Sequence, residues 1–182
     1  VVEEKQLVTA LQTEAEKERA FRELVAQDKQ RLYWQIRNIV LDHEDADDVL
    51  QNTFIKIYRN IDSFKGDSKL HTWMYRIAAN ESITFLNKKA KRKNVSLENV
   101  KDAALRNLET DVYFEGDALQ LQFQKAIATL PEKQRLIFTM KYFEDHTFEE
   151  LSEILETSTG GLKSSYHIAV KKITAYIKNN EA

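Results

Sequence analysis

The chain has 182 residues, 42% of them hydrophobic, with a formal net charge of −2 and no cysteine. That length allows one or two domains whose cores need no staples; the missing cysteines exclude a disulfide framework and a thiolate metal site, and the near-neutral charge excludes a simple polycation that coats nucleic acid. No apolar run approaches the roughly 20 residues that span a bilayer, and the N-terminus lacks the basic-then-apolar order of a signal peptide, so a soluble cytoplasmic protein without membrane insertion is expected; the opening Val points to a start other than the natural one.

One proline and four glycines leave few interior breakers, and apolar residues recur at helical spacing nearly throughout, which predicts an all-α chain. Residues 1–19 are charged and poor in apolar side chains, and read as a frayed N-terminal helical extension. A first domain follows over residues 20–93. Its opening helix is amphipathic through Phe21, Leu24, Val25, Leu32, Ile36, Ile39 and Val40. The acidic turn at residues 43–48 lacks the glycine and terminal glutamate of a calcium loop, so no metal is expected there.

The next helix carries Ala46, Leu50, Thr53, Phe54, Ile57 and Ile61 on one side, as a core-facing stripe. Asp48, Gln51, Asn52, Ile55 and Arg59 lie opposite. A lone exposed isoleucine is ordinary surface; the alternative is a partner-binding face, an apolar centre within a polar rim. The loop and helix that follow bring Phe64, Lys65, Ser68, Lys69, Leu70, His71, Tyr75, Arg76 and Asn80 into one stretch, with Gly66 and Asp67 permitting a sharp turn. Aromatic faces beside cations suit unstacked bases whose phosphates meet the charges. Trp73 aligns with Leu70, Met74 and Ile77 and reads as core. Lys88, Lys89, Lys91, Arg92 and Lys93 close the helix as a phosphate track or as a solvated helix end.

Over residues 94–118 the apolar pattern weakens and Asn94, Ser96, Asn99, Asn107, Asp111 and Gly116 interrupt it, which predicts a linker. A second domain occupies residues 119–182. Leu121, Ala126, Ile127 and Leu130 make a short helix, and Pro131 starts another with Leu136, Met140 and Phe143 as its buried stripe. Thr147 and Glu150 form a capping box, T-F-E-E, opening a helix through Leu151, Ile154 and Leu155. Residues 157–161 read as a turn, and the last helix buries Leu162, Tyr166, Ala169, Ile173 and Tyr176. Two helices about a short glycine-containing turn, the second basic, have the form of a helix-turn-helix. Its outer face holds Ser164, His167, Ile168 and Lys171, flanked by Lys163, Ser165 and Lys172. Hydroxyl and imidazole groups can bond base edges, lysines neutralise phosphate, and an isoleucine can meet a thymine methyl; partner packing is the other reading of Ile168.

A-D-D-V-L-Q-N-T-F, the F-K-G-D-S loop and T-W-M-Y-R-I-A-A-N resemble the second conserved region of bacterial sigma factors of the extracytoplasmic-function group, with the three motifs in the right order and separation. L-P-E-K-Q-R-L-I-F, T-F-E-E-L-S and S-T-G-G-L-K-S-S resemble the fourth region of the same family. The resemblance implies that Asp48, Gln51, Asn52 and Ile55 bind the beta-prime clamp of RNA polymerase core. It further implies that the residues from Phe64 to Asn80 capture the melted non-template strand at the minus-ten element, and that the last helix reads the duplex minus-thirty-five element beside the beta flap. A linker threaded through the polymerase and an anti-sigma partner are implied as well. Ser165, Ile168 and Val170 stand where many relatives place arginines, Gly161 replaces a common threonine and Asn52 a common glutamate, so fewer phosphate contacts are expected in the second domain.

An enzyme fits poorly. His43, His71, His146 and His167 fall in different segments without paired ligand spacing, and no glycine-rich phosphate loop or nucleophile motif occurs, so no cofactor and no metal are expected. A stand-alone helix-turn-helix regulator would account for the basic helix but not for the Gln51/Ile55 face. A helical protein-binding adaptor would account for that face and not for the helix.

Overall fold

A computed structural model describes residues 2–108 and 118–180 and contains, among them, nine α-helices and no strand. The helices are α1 (Val2–Leu11), α2 (Glu14–Val40), α3 (His43–Asn60), α4 (Leu70–Lys93), α5 (Leu97–Leu108), α6 (Ala118–Thr129), α7 (Glu132–Tyr142), α8 (Phe148–Leu155) and α9 (Thr159–Asn180). Asp111 and Gly116, expected to interrupt the linker, lie outside the described residues.

Charge placement explains several helix ends. Asp42 caps α3 by accepting from the Asp45 N–H at 3.0 Å, and Glu44 and Asp45 follow in the first turn. The acidic turn therefore satisfies orphan N–H groups and faces the positive end of the helix dipole. At the other polarity, Lys91, Arg92 and Lys93 close α4, whose cap Asn94 is left-handed at φ 51°. The Thr147/Glu150 capping box of α8 is complete: the Glu150 N–H donates to Thr147 Oγ1 at 3.1 Å, and the Thr147 N–H to Glu150 Oε2 at 3.0 Å.

α2, α3 and α4 pack on one another around the expected stripe, with Ala46, Leu50, Thr53, Phe54, Ile57 and Ile61 all buried. α6, α7, α8 and α9 form the second bundle. The two are not separate bodies. α2 packs on α7 and α4 on α8, so that Leu136, Ile137, Met140, Leu151, Ile154 and Leu162 share one apolar cluster with Leu24, Ile36, Met74 and Ala78.

Four expectations change. The N-terminal segment is docked, not frayed: Leu11 is 0% exposed, Leu7 and Val8 pack on the core, and Gln12 Nε2 donates to the carbonyls of Ile61 and Phe64 at 2.9 and 2.8 Å. A single apolar edge suffices because α2 and the loop supply the rest of the packing, and α2 runs unbroken through the boundary drawn at residues 19–20. Residues 97–108 of the linker form a helix, started by Ser96 Oγ accepting from the Asn99 N–H at 3.1 Å, with Val100 and Ala104 buried. Gly160 and Gly161 sit inside the first turn of α9, and the chain reverses instead at Glu156, left-handed at φ 51°. Phe143 is 40% exposed, because α7 ends at Tyr142 and its ring leaves the stripe.

Candidate polymerase and promoter surfaces

The outer face of α3 presents Asp48, Gln51, Asn52 and Ile55 to solvent, with Tyr58 and Arg59 continuing the surface toward its C-terminus. Ile55 is 42% exposed. The same periodicity that buries Thr53, Phe54 and Ile57 turns these side chains outward, so the face is held by a rigid helix.

The residues assigned to strand capture are spread over the core and three clefts. Phe64, Leu70 and Tyr75 are buried, Phe64 lying 5.3 Å from Trp73 between ring centroids. Phe64, Lys65, Ser68 and Arg76 line a cleft of about 460 Å³ together with Ser63, Asp67, Thr72 and Trp73, closed on one side by Glu153 of α8. Gly66, at φ 76°, supplies the left-handed residue that bends the loop around this cleft. Lys69, His71 and Tyr75 instead line a larger cleft between the two bundles, and Asn80 lies in a third beside Ile154 and Glu156.

Those inter-bundle clefts are bridged by charge. Lys69 Nζ lies 3.0 Å from Glu150 Oε1, Tyr75 Oη donates to Glu144 Oε2 at 3.0 Å, and Arg76 pairs with Glu156. Partial burial works against the Glu150 carboxylate, but the Thr147 N–H and the Lys69 ammonium outweigh it and hold its pKa at about 2. Burial raises Glu144, opposed by the Tyr75 hydrogen bond and Arg31, and burial also raises the Tyr75 phenol, with Glu144 adding to it. The acidic residues of α8 and its flanking turns thus pair with Lys69, Tyr75 and Arg76.

His71 and His146, expected to be far apart, are brought together: their rings stack at 6.1 Å and 16°, and Glu150 lies within reach of both. The residue-by-residue reading missed Glu144, His146, Glu150, Glu153 and Glu156 as neighbours of the strand-capture stretch. One signal was present: His146 immediately precedes the Thr147 N-cap, and the capping box folds the Glu150 side chain back toward that end of the helix.

On α9, Lys163, Ser164, His167, Ile168, Lys171 and Lys172 are exposed and Ser165 is half-buried, while Leu162, Ala169 and Ile173 are buried beneath them. Lys172 Nζ bonds Gln134 Oε1 at 3.0 Å, and Lys163 Nζ lies 5.7 Å from the Phe148 ring centre. The outer face is continuous over two turns. No described helix is long and apolar enough to cross a membrane.

Comparison with known proteins gives the same two halves. Residues 24–92 match the family model "Sigma-70 region 2" and residues 120–173 match "Sigma-70, region 4". The RNA polymerase sigma-H factor of Pseudomonas aeruginosa is 31% identical over 154 residues, 80% of each chain. The ECF RNA polymerase sigma factor SigW of Bacillus subtilis is 31% identical over 156 residues, 81% of this chain and 83% of its own. Among solved structures, CnrH in complex with the cytosolic domain of CnrY has a TM-score of 0.71 at 20% identity, covering 98% of this chain and 99% of that one. The sigma factor RpoE in complex with the anti-sigma factor NepR from Bartonella quintana has a TM-score of 0.68 at 19% identity, covering 88% and 98%.

Proposed function

The chain belongs to the extracytoplasmic-function group of sigma-70 factors, and on that premise we propose how its surfaces divide the work of transcription initiation. As a sigma factor it binds RNA polymerase core, directs it to promoters through minus-ten and minus-thirty-five elements, and promotes melting. It makes and breaks no bonds; it supplies binding energy, and it acts in the cytoplasm. One observation carries this reading over a stand-alone regulator: region 2 at residues 24–92 precedes region 4 at residues 120–173 on one chain.

Asp48, Gln51, Asn52 and Ile55 form the clamp-binding face, where the apolar centre contributes area and the rim sets orientation. The cleft lined by Phe64, Lys65, Ser68, Trp73 and Arg76 receives an extruded minus-ten base. Extrusion costs a few kcal/mol of stacking, which a fitted pocket must offset. Lys69, His71 and Asn80 meet the strand beside it, and the basic end of α4 tracks its phosphates. Ser164, His167 and Ile168 read the minus-thirty-five element while Lys163, Lys171 and Lys172 anchor to its backbone. The second domain docks on the beta flap, and the segment between the domains runs through the enzyme.

Lys69 and Arg76 cannot hold both DNA and the carboxylates of Glu150 and Glu156. The packed arrangement is therefore a resting form, which must open before both elements are bound, and an anti-sigma protein would act by stabilising it. Capture of labelled chain by purified core polymerase tests the reading. Stoichiometric capture supports it, and no capture at micromolar concentration refutes it.

A further inference from the structure

We propose that His71, His146 and Glu150 form a binding site for a divalent transition metal of the zinc class, which ties α4 to the start of α8. The site rests on the reading of the cationic surface only for its consequence; the metal chemistry stands on the side chains themselves.

One ligand atom from each of the three residues can be chosen so that all lie within 4.8 Å of one another. His71 Nε2 is 3.8 Å from Glu150 Oε1, and His146 Nδ1 is 3.6 Å from Glu150 Oε2. A tetrahedral zinc with ligands at about 2.0–2.2 Å sets them roughly 3.3–3.5 Å apart, so closure needs movements of little more than an ångström. His71 and Glu150 have the freedom for it, with side chains 33% and 20% exposed.

The second observation is independent of spacing. His146 is 3% exposed, and its Nε2 has no hydrogen-bond partner. A buried polar atom left unpaired is costly; Nδ1 is the nitrogen that faces Glu150, at 3.6 Å, and no hydrogen bond at Nε2 fixes the ring against the small movement that would bring Nδ1 onto a metal. Two imidazoles and one carboxylate favour zinc, with nickel, copper and iron as chemical competitors, over magnesium or calcium. The fourth position opens on the inter-bundle cleft, where water can enter.

Lys69 is the cation beside Glu150 that the metal must displace. Its side chain is 64% exposed, so the ammonium can swing into solvent at little cost. With the ion in place, α4 and α8 are joined by coordination instead of a screened ion pair. The metal-bound form then holds the acidic residues of α8 against the strand-capture surface.

The test titrates metal-free full-length protein with Co²⁺ as a spectroscopic probe and with Zn²⁺ in competition. Wild type is expected to bind one equivalent with the visible absorption of a tetrahedral N/O site, and Zn²⁺ to displace it and raise the thermal midpoint. H71A, a change at a part-exposed position, is expected to weaken Zn²⁺ binding at least 100-fold and to abolish the thermal shift. E150Q is expected to act the same way while keeping an acceptor for the Thr147 N–H. Absence of stoichiometric binding overturns the proposal, as does binding that survives both variants, which would place the metal elsewhere. Because the readout is the metal itself, failure here leaves core capture untouched, and failure of core capture leaves the site standing.

Discussion

Tyr75 of α4 donates its phenolic hydrogen to Glu144, which lies in the turn after α7, across 3.0 Å. Tyr75 is 4% exposed, whereas the neighbouring Arg76–Glu156 pair has side chains 45% and 67% exposed. The bond therefore fixes the two halves more firmly than the ion pair does. Tyr75→Phe strands a half-buried carboxylate and is expected to weaken the packed form by on the order of 1–2 kcal/mol; Glu156→Gln should cost less than about 1 kcal/mol. The chain has no native cysteine, so dyes on single introduced cysteines in α3 and α9 report separation directly. A larger loss of energy transfer in Glu156→Gln than in Tyr75→Phe would reverse this ranking.

At the proposed clamp face, binding should separate from folding. Gln51 and Ile55 point away from the buried stripe, so Gln51→Ala with Ile55→Asp should leave the thermal midpoint close to wild type. Affinity for core should fall at least tenfold. Titration of core with labelled protein measures it, and unchanged affinity removes the face.

The proposed strand-capture residues divide between the cleft and the core. Lys65 and Ser68 line the cleft without belonging to the core, so alanine at both should shift the preferred minus-ten base and reduce opening while core binding persists. Leu70 is 3% exposed and anchors the start of α4. Leu70→Ala should instead destabilise the fold by about 2–5 kcal/mol. Permanganate footprinting over a promoter library distinguishes the first outcome, and denaturant unfolding the second. An identical base preference in the Lys65/Ser68 variant would dismiss the cleft.

On α9, reading and anchoring should come apart. His167→Ala is expected to flatten preference at one or two bases of the minus-thirty-five element, at about 1–3 kcal/mol for the cognate site. Lys171→Ala should weaken all sequences alike and reduce the salt slope by about one counterion. Holoenzyme binding to a randomised upstream element at several salt concentrations measures both. Equal weakening of every sequence by His167→Ala would overturn the assignment.

What was legible in the sequence was local. The stripe of Ala46, Leu50, Thr53, Phe54 and Ile57 and the Thr147/Glu150 box each lie within one helix and are as read, and on the inner face of α9 Leu162, Ala169 and Ile173 are buried while Tyr166 and Tyr176 are half-buried. α1 was not legible as docked, because Leu7, Val8 and Leu11 are too few to mark a face until α2 and the loop are beside them. Ser96 started an unforeseen helix in a polar stretch for a similar reason: Val100 and Ala104 are buried among its described side chains, and Ala104 clusters with Leu41 and Ala128, far away in sequence. The inter-bundle contacts were the least legible. Tyr75 and Glu144 are 69 positions apart, and no periodicity links α4 to α8. His71 and His146 looked unrelated for that reason alone.

The chain is expected to act only together with core polymerase, through both of its halves. The most direct test is permanganate reactivity of a duplex carrying minus-ten and minus-thirty-five elements, with the chain alone, core alone and both. Unpaired thymines are expected at the minus-ten element only when both proteins are present, with loss of that signal for the Gln51→Ala/Ile55→Asp chain. Sequence-specific protection of the duplex by the chain alone, with no opening when core is added, would contradict this expectation and identify a stand-alone regulator.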